Sequence, residues 1–485
     1  MTTETLQDAR VQRVQRVLDY FFELCRYPRR SGNEAAAVDY LETWARAEGF
    51  AVARDTTGNL AIECPASPSF GASAPCAPVV LQAHVDMVCI SEDPEANVDA
   101  LVVSPYLEDG FLRARDTTLG ADNGIGVAIA QYLACRPRRR PLRLVFTVDE
   151  EETMAGARSL DPSWLDAPFL VNLDSSFSDV LTVGAAGSCE VLVTKKARSC
   201  PGREGLRGFE IEVDGLAGGH SGDDIDKGRS NAARIVLDVF ERVAQEGASW
   251  QIASLDVAGA SNAIAARARA CGNVDSFEAL QQACADAAAA VRSACADDGA
   301  ARVECREAVP FAACVEEGEA CVDLLRALPE GVLAASADAT CPVALSSNTG
   351  TVALSPEGLQ AVCLVRFEDT SRRAACLAAF DAAATRFGAS LDIGAESVPW
   401  VARAASPLAD AYERAYREVA GVAPERIVIH SAVECGELQL HNPAIDIVSV
   451  SPDILDAHAV SERVDIASVG KILDVLELLL DSDWV

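Results

Sequence analysis

The stretch VVLQAHVDMV, residues 79–88, joins a short apolar run to one histidine and one aspartate, His84 and Asp86. A valine-rich run of this length is typical of a strand buried on both faces, as in the parallel sheets of α/β proteins. In open α/β sheets, ligands bind outside the carboxyl ends of the strands. Because the chain has only 5 histidines, a histidine at such a strand end is a candidate functional residue.

Two further apolar runs end in acidic residues in the same way. The segments LRLVFTVDEE (142–151) and FLVNLDS (169–175) predict strands that are followed by Glu150, Glu151 and Asp174. Side chains that follow neighbouring parallel strands meet at one edge of the sheet. The sequence therefore predicts that these carboxylates and His84 share one crevice.

The 485 residues exceed what one hydrophobic core usually holds, so two domains are predicted. Helical and strand-like segments alternate over 1–190 and again over 395–485, which indicates an α/β domain with a central, mostly parallel sheet. Segments such as FEIEVDG and SNAARIVLDVFERVAQ give 191–394 a different pattern, that of an inserted α+β lid domain. The stretch 63–78, rich in Pro, Ser and Ala, predicts a loop between two strands.

The charge balance argues against two classes of partner. The chain carries 41 Lys+Arg against 73 Asp+Glu, a net charge of -32, which disfavours binding to nucleic acid or to an anionic membrane. No apolar run approaches the roughly 20 residues that span a bilayer, and the first segment has an amphipathic helical pattern rather than that of a secretion signal. We predict a cytoplasmic protein whose 17 cysteines are mostly small buried residues rather than disulfide partners.

Acidic and imidazole groups recur at strand ends and in glycine-rich turns. They are His84, Asp86, Asp122 in TTLGADNGIG, Glu150, Glu151, Asp174 and His458 in SPDILDAHAV. A set of nitrogen and oxygen donors without cysteine suits zinc, with manganese or cobalt as substitutes. So many carboxylates could share one crevice only if cations compensated their charge, so a metal site is predicted.

Seven motifs in order carry a resemblance that covers nearly the whole chain. They are LQAHVDMV, GADNGIGVA, TVDEEETMAGA, LVNLDSS, GLAGGHSGDDI, SNAIAARA and HSAVECGEL. This set resembles that of the di-zinc metallopeptidases that include the aminoacyl-histidine (Xaa-His) dipeptidases and the carnosinases. The resemblance implies a zinc-dependent dipeptidase with two Zn²⁺ per active site, or Mn²⁺ or Co²⁺ in their place.

The resemblance also assigns roles to the metal-binding residues. It implies that Asp122 bridges the two ions and that the bond to Asn123 is cis. One ion would be completed by His84 and Asp174, and the other by Glu151 and His458. Asp86 would orient the imidazole of His84.

The remaining roles concern catalysis and the substrate. The resemblance makes Glu150 the general base, and the missing glycine after DEEE leaves the choice among Glu150, Glu151 and Glu152 open. The other implied roles are His220 at the oxyanion, Asn262 and Arg366 at the terminal carboxylate of the substrate, and Glu434 at its amino group. For Arg366 a surface arginine at a strand edge is an equal alternative.

The implied substrate is a dipeptide with a free amino terminus, over which the inserted domain closes. Whether His220 acts in its own chain or across a homodimer formed through that domain stays open. A deacylase or desuccinylase of N-acyl amino acids is one alternative, disfavoured because its substrate has no ammonium for Glu434. A catalytically silent metal-binding homologue is another, disfavoured because metal binding does not need Glu150.

Overall fold

The structure is a computed structural model that describes residues 3–68 and 77–484. Its helices are α1 (Thr3–Leu24), α2 (Ala35–Ala47), α3 (Ala121–Cys135), α4 (Ala155–Ser159), α5 (Ala232–Gln245), α6 (Phe277–Ala294), α7 (Gly318–Ala327), α8 (Thr370–Phe387), α9 (Pro407–Ala420), α10 (Cys435–His441) and α11 (Ile466–Asp481). None of these described helices is both long enough and apolar enough to cross a bilayer.

The strands fall into a first set, a long middle set and a final set. The first set is β1 (Ala51–Arg54), β2 (Leu60–Cys64), β3 (Val79–His84), β4 (Pro105–Glu108), β5 (Phe111–Ala114), β6 (Leu142–Thr147), β7 (Phe169–Asn172) and β8 (Val180–Ala185). The middle set is β9 (Gly187–Lys196), β10 (Ser199–Pro201), β11 (Arg207–Asp214), β12 (Gly219–His220), β13 (Trp250–Val257), β14 (Ala263–Ile264), β15 (Ala268–Val274), β16 (Arg302–Ala308), β17 (Ala313–Val315), β18 (Gly331–Ala335), β19 (Val343–Ser355), β20 (Gly358–Phe367) and β21 (Ser390–Ser397). The final set is β22 (Glu425–Ile429), β23 (Asp446–Ser449), β24 (Ile454–Leu455) and β25 (Arg463–Asp465).

The chain divides into two compact units. The first comprises the described parts of Met1–Ala185, Trp400–Val428 and Val433–Val485, and the second comprises Ala186–Pro399 and Ile429–Ala432. The first unit contains an eight-stranded sheet in the order β1-β2-β6-β3-β7-β23-β8-β22. Its centre is parallel, because β3 runs parallel to β6 and β7, and β7 runs parallel to β23.

The core of the first unit explains why these segments form strands and helices. Every residue of β3 and β7 is buried, as the continuous apolar runs predicted. The helix α3 is buried on almost all sides and α11 along one apolar face, and their buried apolar residues join those of the central strands in a single hydrophobic cluster. The α/β fold class predicted from these patterns is confirmed.

The second unit is built on a separate, nine-stranded sheet. Its order is β16-β11-β15-β13-β19-β20-β9-β21, and β18 pairs with β19. The pairs are antiparallel, and the helices α5, α6 and α8 contribute buried residues to the core of this unit. The unit is therefore an α+β structure with its own core.

The bounds of the two units differ from the predicted boundaries at 190 and 395. The first unit ends at Ala185 because Gly187 begins β9, which pairs only within the second sheet. The second boundary moves beyond 395 because β21 pairs with β9. A third crossing was not predicted: Ile429–Ala432 belongs to the second unit, and the Ile429 carbonyl accepts a hydrogen bond from Ala186.

Two smaller predictions can also be compared with the structure. The cysteines that the structure describes are all free, and most are buried, in agreement with their predicted role as small core residues. The predicted loop 63–78 begins two residues too early, because β2 continues to Cys64. Residues 69–76 of that loop lie outside the described residues.

Candidate metal centre and substrate-binding groups

The first unit brings the predicted strand-end residues together at one edge of its sheet. In the parallel register, His84 at the end of β3 lies opposite Thr147 at the end of β6. The next strand, β7, ends at Asn172, two residues before Asp174. The side chain of His84 is 1% exposed, so its ring is held in place within the sheet edge.

Asp122 joins the two imidazoles of this cluster. Its Oδ1 lies 3.1 Å from His84 Nε2, and its Oδ2 lies 3.3 Å from His458 Nε2. The Asp122–Asn123 peptide bond is cis, as predicted. Because each oxygen faces a different imidazole, Asp122 can serve two metal ions at once.

Three groups of side chains in the described structure could each hold a metal ion. Their ligand atoms lie within 4.8 Å of one another. The groups are His84 with Asp122 and Asp174, Asp122 with Glu151 and His458, and His84 with Glu150 and Glu151. The first two groups share Asp122 and contain all five predicted metal ligands, while the third leaves the division between base and ligand open.

Asp86 connects the histidine with the two glutamates. It is fully buried and accepts hydrogen bonds from the backbone amides of Glu150 at 3.0 Å and Glu151 at 3.1 Å. Its Oδ1 also lies 3.4 Å from His84 Nδ1, and Ser31 Oγ donates to Oδ2 at 2.8 Å. Asp86 therefore positions the turn after β6 as well as facing the imidazole, a contact that the sequence did not predict.

The three glutamates in DEEE have different environments. Glu150 and Glu151 lie in the turn after β6 and belong to the potential metal-binding groups. Glu152 is exposed, and its Oε1 forms an ion pair with Arg30 Nη2 at 2.9 Å. The arrangement separates Glu152 from its two neighbours.

The electrostatics of the cluster test whether a metal would fit. Burial raises the pKa of Glu150 well above its usual value, against the opposing charge of His84. Burial and then the charge of Asp122 raise the pKa of Glu151 to about 7. Hydrogen bonds with Asp122 and Glu151 raise the pKa of His458 to about 11. The carboxylates of the cluster thus favour a positive charge close by. Bound metal ions would provide that charge, and the imidazoles could then be neutral, as metal ligands are.

The pKa values of Asp122 and Asp174 are shifted in opposite directions. Burial disfavours the charge of both, but hydrogen bonds with His458 and His84 outweigh burial at Asp122 and lower its pKa. The pKa of Asp174 is raised by burial and then by the charge of Asp122. A mixed set of imidazoles and carboxylates under such charge repulsion fits a divalent metal centre.

Glu434, the residue immediately before α10, has a buried carboxylate beside this cluster. Its Oε2 accepts hydrogen bonds from Gln82 Nε2 at 2.6 Å and from Thr147 Oγ1 at 2.7 Å. Its Oε1 is buried without a hydrogen-bond partner. Burial raises its pKa to about 7, and the charges of His84, Asp174 and Asp86 also act on it.

The second unit contains a separate polar cluster around Arg366. Arg366 Nη2 lies 3.1 Å from His220 Nε2, and Arg366 Nε donates to Ser221 Oγ at 3.2 Å. A guanidinium can only donate, so His220 Nε2 accepts and the ring proton lies on Nδ1, 3.3 Å from Asp223. In this arrangement His220 itself has no Nε2 proton to offer to an oxyanion.

The surface alternative for Arg366 is wrong. The residue lies in β20, paired with Ser346 of β19, and is 4% exposed. Burial lowers the pKa of Arg366 to about 10, so the guanidinium is still cationic at neutral pH. A buried guanidinium is suited to binding a carboxylate.

Asn262 and His430 lie in the same unit. The Asn262 side chain is exposed, while its carbonyl accepts a hydrogen bond from the Ser221 amide at 2.8 Å. His430 Nε2 lies 2.8 Å from Ser346 Oγ, and its Nδ1 is buried without a hydrogen-bond partner. Burial and then the charge of Arg366 lower the pKa of His430 to about 3, so it is neutral.

The sequence interpretation missed several residues that position the cluster. Gln82 was visible as a polar residue within the apolar run of β3, and Ser31 lies in the segment YPRRSGNE, to which no role was assigned. Glu462 accepts hydrogen bonds from backbone amides about the start of α3. Its partners lie more than three hundred residues earlier, so no local pattern marks it.

Imidazoles and carboxylates gathered at the strand ends of an α/β sheet form the kind of site at which metal-dependent hydrolases act. Comparison with known sequences identifies the family of such hydrolases to which the chain belongs. The profile of Peptidase family M20/M25/M40 matches residues 80–482, and the chain belongs to this family. It is therefore a metal-dependent peptidase.

The matches with individual relatives cover almost the whole chain. The cytosol non-specific dipeptidase of Escherichia coli (strain K12) is 29% identical over 481 residues, which cover 96% of this chain and 97% of the relative. The crystal structure of aminoacylhistidine dipeptidase from Vibrio alginolyticus matches with a TM-score of 0.80 and 28% identity, and the match covers 96% of each chain. A tripeptidase from Staphylococcus aureus shares the fold, with a TM-score of 0.55 and 16% identity over 96% of this chain and 98% of its own.

Proposed function

We propose that the protein is a dipeptidase that hydrolyses dipeptides with a free amino terminus, such as Xaa-His or β-Ala-His. The observation that carries this proposal is the buried, unpartnered Oε1 of Glu434. An unpaired buried carboxylate oxygen is costly, and a substrate ammonium would satisfy it with a charge-assisted hydrogen bond. The names of the Escherichia coli and Vibrio alginolyticus relatives support a dipeptide substrate.

The metal centre is proposed to hold two ions, zinc or else manganese or cobalt. Asp122 would bridge them, with His84 and Asp174 on one side and Glu151 and His458 on the other; this division follows two of the three ligand groups. When bound, the ions would polarise the scissile carbonyl and lower the pKa of a water molecule.

Glu150 is proposed as the general base. It would accept a proton from the attacking water and deliver it to the departing amine. Its backbone amide is held by Asp86, which limits the positions that its carboxylate can take. Its side chain is only 11% exposed, so bulk water competes little for its proton.

The terminal carboxylate of the substrate and the oxyanion are proposed to bind a further set of polar residues. Arg366 and Asn262 would bind the terminal carboxylate, and His220 would stabilise the oxyanion. The buried cation of Arg366 supports its part of this proposal. If Arg366 turned to the substrate, the ring proton of His220 could lie on Nε2 and form a hydrogen bond to the oxyanion.

We also propose a cytosolic protein whose inserted domain forms a homodimer, with neither nucleic acid nor membrane as partner. The name of the Escherichia coli relative supports the compartment. The net charge of -32 supports the exclusion of polyanionic partners. The mass in solution, measured by light scattering, tests the dimer.

The substrate proposal is tested with β-alanyl-histidine, leucyl-glycine and their N-acetyl derivatives, assayed before and after chelation and after readdition of zinc or manganese. We expect metal-dependent hydrolysis of the free dipeptides and little hydrolysis of the acetylated ones. Preferential cleavage of N-acetyl amino acids would instead favour a deacylase. A metal-loaded protein that cleaves none of these compounds would contradict the proposal.

A further inference from the structure

Glu462 is bound to four consecutive backbone amides where α3 begins. Its Oε2 accepts hydrogen bonds from Leu119 and Gly120, each at 2.8 Å. Its Oε1 accepts from Ala121 at 2.8 Å and from Asp122 at 3.2 Å. Glu462 is 2% exposed, so these amides are its principal partners.

The same turn is held from its carbonyl side by Arg29. Arg29 Nη2 donates to the Gly120 carbonyl at 2.5 Å, and its Nη1 donates to the Val85 carbonyl at 3.0 Å. Gly120 therefore has its amide bound by a buried carboxylate and its carbonyl by a buried guanidinium. Its φ of 64° and the close approach of Arg29 and Met87 leave no room for a Cβ atom.

This double attachment acts on Asp122, which follows Gly120 by two residues. Asp122 places one oxygen toward His84 and the other toward His458. A small rotation of the turn would move both oxygens, because the Asp122 amide is itself one of the four groups that Glu462 binds.

We propose that Glu462 is a positioning residue of the metal centre, which fixes the 119–122 turn so that Asp122 can bridge two ions. This inference rests on the two-metal site of the proposed function. It does not depend on the identity of the substrate, and metal binding can be measured without hydrolysis. Failure of the dipeptidase proposal can thus be distinguished from failure of this inference.

The test is calorimetric titration of chelator-stripped protein with Zn²⁺ and with Mn²⁺. Glu462→Gln keeps the shape of the side chain but turns an amide NH₂ toward two backbone N–H groups. We expect metal affinity to fall roughly tenfold to a hundredfold, the usual effect of removing a group that orients ligands. Thermal unfolding of the metal-free proteins and circular dichroism monitor folding in parallel.

Asp298→Asn is the matched control. Asp298 is also fully buried and accepts hydrogen bonds from the Ala217 and Ser230 amides, at 2.9 and 2.7 Å. It belongs to the second unit and to none of the potential ligand groups. A loss of stability is expected in both variants, but a loss of metal affinity only in Glu462→Gln.

Each outcome decides the inference. Metal affinity equal to that of the wild type in a folded Glu462→Gln would overturn it, as would equal loss of affinity in Asp298→Asn. If Glu462→Gln does not fold, Glu462→Asp replaces it, since it keeps two acceptor oxygens and withdraws them by one methylene. Weaker metal binding by that variant supports the inference, and unchanged binding contradicts it.

Discussion

Gln82 Nε2 donates a hydrogen bond to Glu434 Oε2 at 2.6 Å, although the two residues are 352 positions apart in the chain. Thr147 Oγ1 donates to the same oxygen. These bonds hold one oxygen of the carboxylate and leave Oε1 without a partner. The unequal use of the two oxygens is what makes Glu434 a candidate receptor for the substrate ammonium.

Replacing Glu434 by Gln should raise KM for free dipeptides more than it lowers kcat. Hydrogen bonds to charged groups contribute about 1.5–3 kcal/mol, so kcat/KM should fall roughly tenfold to a hundredfold. Glu437→Gln is the matched control, since Glu437 is buried as Glu434 is, but lies within α10 and pairs with Arg158. Equal effects of the two substitutions would argue against ammonium binding at Glu434.

Asp86→Asn should damage the metal centre more than Ser31→Ala. In Asp86→Asn an amide NH₂ would face either His84 or the backbone N–H groups of Glu150 and Glu151, which are themselves donors. Ser31→Ala removes only one hydrogen bond to Asp86. We expect metal affinity or activity to fall about tenfold to a hundredfold in Asp86→Asn. Metal titration and steady-state kinetics measure both variants, and similar losses would contradict the positioning role of Asp86.

Gly120→Ala should destabilise the protein more than Gly49→Ala. Both glycines have positive φ, but an added Cβ at Gly120 would meet Arg29 and Met87, whereas at Gly49 it would meet nothing within 4 Å. Overpacking of this kind costs about 1–3 kcal/mol beyond the shared backbone penalty. Urea unfolding of the two variants measures the difference, and equal losses would exclude a steric requirement at Gly120.

His430 should make stability depend on pH below neutrality. Its pKa is lowered from 6.5 in the unfolded chain to about 3 in the fold, so the unfolded chain takes up a proton first as the pH falls. The stability that it contributes is present above pH 6.5 and is lost toward pH 3, by up to about 1.4 kcal/mol per pH unit.

Urea unfolding of wild type and His430→Asn at several pH values measures this contribution. Comparison of the two proteins at each pH cancels the titration of other groups. The free energy of unfolding should fall more steeply with decreasing pH in the wild type than in the variant. Parallel curves would show that His430 does not remain neutral in the folded protein.

The parts of the fold that the sequence predicted are those with strong local patterns. The apolar runs around His84 and Asp174 predicted buried strands, and their polar ends predicted where the ligands would meet. Arg366 shows the limit of such patterns: in LVRF a charged residue follows apolar ones, and only the pairing of β19 with β20 buries it. Its local sequence is compatible with either face of the strand.

Residues whose partners are distant in the chain could not be predicted. Glu462 and Gln82 act through contacts with segments more than three hundred residues away. The boundary after Ala185 also differs from the predicted one, because strands on both sides of it have similar composition and only sheet pairing separates them. Tertiary pairing, rather than propensity, decides these features.

We propose that Glu150 transfers the proton while its neighbour Glu151 binds metal. Glu150→Gln, with exposed Glu152→Gln as the matched control, is assayed for β-alanyl-histidine hydrolysis together with metal content. We expect Glu150→Gln to retain its metal and lose at least about a hundredfold in kcat, and Glu152→Gln to behave like the wild type. A fully active, metal-loaded Glu150→Gln would show that Glu150 is not the general base.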